Sequence, residues 1–240
     1  MKKIIRNTIL IILGIIILAG VVIGGIGYNI YKEALEETPL NEKVAEIRTD
    51  KNYAKIEELP QIYLDAVIAV EDKRFYTHKG IDPISLGRAI VNDIKAMSFV
   101  EGGSTITQQL AKNIYFTQKK EIVRKAAEAF MAVEIEQNYE KDEILELYLN
   151  TSYFGDGCYT VKEATNHYFD KEPSEMTDYE ATLLAGVPNA PSVYAPTKNL
   201  ELAHRRQKQV LNKMVENGSL TEQESENIEI EANTKENEKL

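Results

Sequence analysis

The 240-residue chain has no tryptophan, a single cysteine and only three histidines. One thiol, Cys158, excludes an internal disulfide and any multi-thiolate metal site. His78, His167 and His204 are scattered and lack zinc-ligand spacing. Positive charge is also scarce: 28 Lys and Arg face 38 Asp and Glu, for a net charge of −10. Removing Lys2, Lys3 and Arg6 at the extreme N-terminus leaves −13. An exterior this acidic argues against nucleic acid as a partner, because that requires a basic footprint. Any anionic ligand must be held by a local basic cluster, not by the overall field. No convincing strand pattern or internal repeat is visible, so the class is all-α.

Charge is missing altogether from Asn7 to Tyr31, and Ile9 to Ile26 is nearly all Ile, Leu, Val, Gly and Ala. An apolar run of about 20 residues spans a bilayer as a helix, since a helix satisfies its own backbone polar groups. Lys2, Lys3 and Arg6 precede it and no positive excess follows, which places the N-terminus in the cytoplasm and the rest outside. The length of the run and the lack of a small-x-small cleavage site set it apart from a signal peptide. The expected organisation is an N-terminus and anchor over 1–31, a polar juxtamembrane linker over 32–58, one domain over 59–222 and a polar tail over 223–240. The final dozen residues, with few large apolar side chains, are expected to fray.

Within the domain the pattern is helical almost throughout. Pro60 suits a first helical position, and Ile62, Ala66, Val67 and Val70 form an apolar face ending at Glu71. A helix restarting at Asp82-Pro83 is expected to bury Ile84, Ile90, Val91 and Ile94. Gly102-Gly103 breaks the chain, and Thr105 with Gln108 has capping-box spacing, as Thr177 has with Glu180. Further helices are expected over about Glu121–Tyr139, Lys141–Leu149 and Asn199–Asn217, the last stopped by Gly218.

Three constellations carry chemistry. Glu71 and Asp72 end an apolar helix just before a His78-Lys79-Gly80 turn, and Phe75 and Tyr76 beside them offer an apolar wall that raises a carboxylate toward base duty. Gly102-Gly103-Ser104-Thr105 opens a helix whose backbone N–H groups face an anion, with Ser104, Gln108 and Lys112 on one face and Gln109 and Asn113 beside it. It is no Walker loop, because the Gly-Lys-Ser/Thr ending is absent. Lys119, Lys120, Arg124 and Lys125 form a basic patch, and Glu128 shares a helix face with the last two among Ala127, Met131, Ala132 and Ile135. A carboxylate gripped by two cations in apolar surroundings is a functional candidate.

These stretches resemble the bacterial peptidoglycan glycosyltransferases, found as the transglycosylase domain of class A penicillin-binding proteins and as monofunctional membrane-anchored forms. The resemblance rests on Glu-Asp-x-x-Phe-x-x-His-x-Gly at Glu71–Gly80, Gly-Gly-Ser-Thr-Ile-Thr-Gln-Gln at Gly102–Gln109 with Lys112-Asn113, Arg-Lys-x-x-Glu at Arg124–Glu128, and Lys-x-x-Ile-Leu-Glu-x-Tyr-Leu-Asn at Lys141–Asn150. It runs from about Leu59 to Gly218. Thr160-Val161 departs from it, standing where many members carry Gly-Ile. The resemblance implies a lysozyme-like fold and inverting polymerisation of lipid II into β-1,4-linked glycan with release of undecaprenyl diphosphate. It implies Glu71 as general base on the acceptor 4-hydroxyl and Glu128 near the donor diphosphate, acting with a divalent cation (Mg or Mn) or through the basic cluster. No organic cofactor is implied. Asp72, Phe75, His78, Gly103, Ser104, Thr105, Gln108, Gln109, Lys112, Asn113, Lys120, Arg124, Lys125 and Tyr153 become the substrate-binding set. Lipid II, the growing strand, the membrane and proteins of cell-wall synthesis are the implied partners. No transpeptidase motif of the Ser-x-x-Lys, Ser-x-Asn or Lys-Thr-Gly type is apparent in the tail, so the monofunctional form is expected. Two rivals stand beside this reading: a lysozyme-like glycan-cleaving enzyme, which needs no phosphate cradle, and a non-catalytic cell-wall scaffold.

Overall fold

The computed structural model describes residues 2–96, 102–116 and 122–237. Its helices are α1 (Lys2–Glu37), α2 (Leu40–Arg48), α3 (Gln61–Glu71), α4 (Pro83–Ala96), α5 (Ile106–Tyr115), α6 (Ile122–Asn138), α7 (Lys141–Leu149), α8 (Val161–Phe169), α9 (Asp178–Gly186), α10 (Pro191–Tyr194), α11 (Leu200–Asn217) and α12 (Glu222–Asn237). Among the described residues there is no strand, only one isolated bridge between Gly155 and Cys158. The all-α expectation is met.

Local chemistry sets the boundaries. The Thr105 hydroxyl accepts from the Gln108 N–H, and the Gln108 side chain accepts from the Thr105 N–H, both at 3.1 Å. The same reciprocal cap starts α9 at Thr177 and Glu180. Asn199 caps α11, and Gly218 at φ +78° ends it in the left-handed conformation that a glycine adopts without strain. Helix α9 is buried along its whole length from Tyr179 to Gly186 and forms the axis on which α3 and α11 pack. Helix α5 packs on α6 and α7, completing a core that includes Tyr63, Phe75, Ile106, Leu110, Met131, Tyr148 and Phe154.

The apolar N-terminal helix is long enough to cross a membrane, and its most apolar window buries nothing within the protein. Its C-terminal end behaves differently. Gly27 lies so close to Ala126 of α6 that a Cβ would stand 2.5 Å from the alanine methyl. Tyr28 and Tyr31 pack on Phe130, and the Tyr31 hydroxyl donates to Glu134 at 2.8 Å.

Three expectations need correction. The stretch read as a polar linker is part of the folded unit: Tyr31, Leu40, Val44 and Ala54 are buried in the main core. Asn150 of the fourth motif accepts from the Ala54 N–H and donates to the Ala54 carbonyl, and Glu146 accepts from the Ile56 N–H. The partners lie some 90 residues apart in sequence, which no local pattern reveals. The polar tail is likewise a helix, α12, with Ile228 and Ala232 one turn apart and buried against Tyr179, Leu183, Ala203 and Leu211. In α4, Ile84 and Val91 are exposed, not buried; the side chains of Ile90 and Ile94 lie outside the described residues. Gly103 sits against Ala89, which is buried, and against the Leu86 backbone, where a Cβ would stand 3.2 Å from the Ala89 methyl.

Candidate active site

A cleft of about 1360 Å³ opens between the end of α3, the start of α5, α4, the first half of α6 and α11. Eleven of the expected residues line it: Glu71, Asp72, Gly103, Ser104, Thr105, Gln108, Gln109, Lys112, Arg124, Lys125 and Glu128. Lys119 and Lys120 lie outside the described residues. Eight basic side chains face the cleft against four carboxylates, a local reversal of the acidic whole.

Glu71 is the last residue of α3. Its Oε2 accepts from Gln109 Nε2 at 2.7 Å, while its buried Oε1 has no hydrogen-bond partner. Arg206 of α11 stands 3.9 Å from Oε1. Tyr148 reaches the same pocket from α7, its hydroxyl 3.4 Å from Gln109 Oε1. The surroundings of Glu71 are therefore amide, phenol and guanidinium. The expected apolar wall is elsewhere: Phe75 is buried with its ring against Tyr76, His78 and the Lys141 ammonium.

Glu128 is wholly buried on α6 among Ala127, Met131, Ala132 and Ile135. Arg124 pairs with one of its oxygens and Lys125 with the other, the latter at 2.7 Å. Lys112 approaches from α5 and is half-buried. Burial pushes its ammonium below the ordinary lysine value, the Glu128 carboxylate opposes this, Lys125 and Arg124 push it further down, and Glu71 again opposes. Among the described residues Lys112 has no ion-pair partner.

Part of the expected backbone cradle is spent within the fold, while Gly102, Gly103 and Ser104 line the cleft. The Ile106 N–H donates to Asp72 Oδ2 at 3.1 Å, and the Gln108 N–H donates to Thr105. These groups are consumed in fixing α5 to α3. Asp72 also pairs with His78 Nε2 at 2.7 Å, so Asp72 at the cleft wall is held from behind by His78. Phe75, His78, Asn113 and Tyr153 do not line it; Asn113 is exposed, and Tyr153 stacks with Tyr159 at the surface, ring centroids 4.9 Å apart. Sequence reasoning missed Arg206, Gln209 and Lys213. They recur at i, i+3 and i+7 along α11, a polar stripe that periodicity alone reads as a solvated face.

A family model described as Transglycosylase matches residues 39–215. The chain belongs to the transglycosylase family. The match begins at Pro39, in keeping with the burial of Leu40 and Val44 in the core. This transglycosylase is 44% identical over 185 residues to penicillin-binding protein 1F of Bacillus subtilis (strain 168), covering 77% of the chain and 26% of that protein. It is 46% identical over 174 residues to penicillin-binding protein 1A of Neisseria lactamica, covering 72% of the chain and 22% of the relative. Against a crystal structure of penicillin-binding protein 1A from Haemophilus influenzae the TM-score is 0.45 at 22% identity, over 74% of this chain and 17% of that one. The chain thus spans about a quarter of the length of the curated relatives it matches.

Proposed function

We propose that this transglycosylase polymerises lipid II into β-1,4-linked glycan strands, releasing undecaprenyl diphosphate. The observation that carries the reading is Lys112: a half-buried ammonium with no ion-pair partner among the described residues, beside a pair of cations that already neutralises Glu128. A desolvated cation without a counter-charge is unfavourable in the empty protein. It is well placed for an anion brought by the substrate, and a diphosphate supplies one.

In the proposed reaction Glu71 takes the proton from the acceptor 4-hydroxyl as that oxygen attacks the anomeric carbon of the donor. The bond from that carbon to the diphosphate oxygen breaks on the opposite side, inverting the centre without a covalent enzyme intermediate. Negative charge grows on the departing diphosphate, where Lys112, Arg124 and Lys125 stabilise it, the term that usually dominates such catalysis. Glu128 keeps Arg124 and Lys125 extended and in register. Ser104 and Gln109 line the path between the two carboxylates and position the sugar.

A protein-built divalent site does not fit the residues present. Both Glu128 oxygens are engaged by cations, and no group of three His, Cys, Asp or Glu side chains suited to a metal occurs among the described residues. No step is routed through an ion. The apolar helix would keep the enzyme in the plane of its lipid-borne substrate, with the cleft on the outer side of the membrane. The test is to supply purified full-length protein with lipid II and look for polymer. Wild type is expected to make it and Glu71→Gln, equally folded, to make none; comparable turnover by the two removes Glu71 from the mechanism.

A further inference from the structure

The Glu71 carboxylate is approached from two sides in unequal ways. Gln109 pins Oε2 with a 2.7 Å hydrogen bond. Oε1 is buried and accepts nothing, and the Arg206 guanidinium stops 3.9 Å away, beyond hydrogen-bond distance. The guanidinium is itself held. Its Nε faces the Gly186 carbonyl at 3.4 Å, a terminal nitrogen donates to Gln209 at 2.9 Å, and the group lies 5.9 Å from the centre of the Tyr194 ring. Gly186 makes this possible: a Cβ there would stand 2.8 Å from Arg206 Cγ. A cation held in place by three groups thus faces the buried carboxylate oxygen that Gln109 leaves free.

We infer that Arg206 is a positioning residue for the base: together with Gln109 on the opposite side it fixes the orientation of the Glu71 carboxylate toward the acceptor hydroxyl. The inference rests on the glycosyl-transfer reading above and adds a residue that lies far from the first three motifs. The groups facing Glu71 are Gln109 and Lys112 from α5, Tyr148 from α7 and Arg206 from α11, with Asp72 following it in the chain. Among the described residues only Arg206 comes within ion-pair distance. A guanidinium stays charged at every working pH, so it supplies a constant field.

The experiment measures lipid II polymerisation by full-length protein in nanodiscs across pH, for wild type, Arg206→Gln, Arg206→Lys, Gly186→Ala and, as control, Arg205→Gln. Arg205 is exposed and pairs outward with Glu201. Arg206→Gln is expected to lower kcat at least about 10-fold at neutral pH, as a misdirected base should, with little change in KM. The loss falls on kcat, with Tm close to that of wild type. Arg206→Lys recovers part of the loss, and Arg205→Gln matches wild type. Gly186→Ala keeps the charge but displaces the side chain, and is expected to lower kcat in the same sense if Arg206→Gln fails to fold. Wild-type kcat in a folded Arg206→Gln overturns the inference, as does a loss that appears only as a raised KM or that follows a lowered Tm without recovery in Arg206→Lys. If wild type itself makes no polymer, the glycosyl-transfer reading falls and Arg206 with it; a failure confined to the variants sinks Arg206 alone.

Discussion

Lys112→Met separates catalysis from stability by sign. The substitution keeps the length and apolar stem of the side chain and removes only the ammonium. In the folded protein that ammonium is half-buried with no ion-pair partner among the described residues, and burial holds its pKa below 10.5. Removing it relieves a desolvation cost, so Tm is expected to hold or rise. The pH dependence follows from the same shift. At neutral pH the fold carries a proton that burial disfavours; as pH climbs toward 10.5 the folded protein sheds it before the unfolded chain does, and wild type gains stability. The stability gap between variant and wild type should therefore narrow on the alkaline side. Turnover moves the other way. One charge-assisted contact to the departing diphosphate is worth on the order of 2–4 kcal/mol, or about 10²–10³ in rate. The assays are lipid II consumption per folded molecule and thermal unfolding over a pH series. A fallen Tm with turnover preserved would refute the reasoning and make Lys112 a structural residue.

Cutting the chain after residue 31 removes Tyr31 and its bond to Glu134, and is expected to destabilise the domain by about 3–5 kcal/mol, as deletion of a buried aromatic does; cutting after residue 22 keeps the Gly27–Tyr31 contacts and should leave Tm unchanged. Equal Tm for both truncations in detergent would show that the Tyr31 contacts with α6 contribute nothing to the stability of the domain. Asp156 accepts from Thr197 and pairs with Lys198 and His167, and these contacts, the Thr197 hydroxyl foremost, lower its carboxyl from 3.8 to about 2. That stability is present above about pH 4 and lost as pH falls toward 2, so the Tm gap between wild type and Asp156→Asn should close there; a gap constant with pH would show that the carboxylate charge is not its source.

Helix type and extent were legible because each long helix carries its own boundary chemistry. Thr105 with Gln108, Thr177 with Glu180, and Asn199 with Gly218 are local signals, and each forms its expected bonds. The two ends of the site were legible for a related reason: Glu71 closes an apolar helix and Glu128 interrupts one. What connects distant segments was not. Asn150 was part of a recognised motif, yet its work, holding the Ala54 peptide, needs a partner 96 positions away. Arg206 looked like one more charge on an amphipathic helix, and only the fold brings it to Glu71. The glycine loop is spent in part on the fold: it lines the cleft, but Asp72 claims the Ile106 N–H because α3 ends where α5 begins.

The contact between α1 and α6 ties these parts to the membrane. Gly27 meets Ala126 and Tyr31 meets Phe130, so residue numbers on the two helices climb together and the helices run parallel. Carrying that register along, Glu128 is level with Asn29, about one helical turn or roughly 5 Å beyond Ile26, where the apolar run ends. Arg124 and Lys125 are level with its last residues. Helical side chains also lean toward the N-terminus, which here is the membrane side. If α1 spans the membrane as proposed, the cations that face the cleft would stand at the depth of lipid phosphates. On the proposed reaction, a donor whose diphosphate is fixed to a lipid chain would then arrive at that depth of its own accord, and binding would require lateral diffusion and rotation, not extraction from the bilayer. Close packing at Gly27 is what fixes the level: any larger side chain there would displace α1 from α6, and with it the height of the Glu128 cations above the membrane.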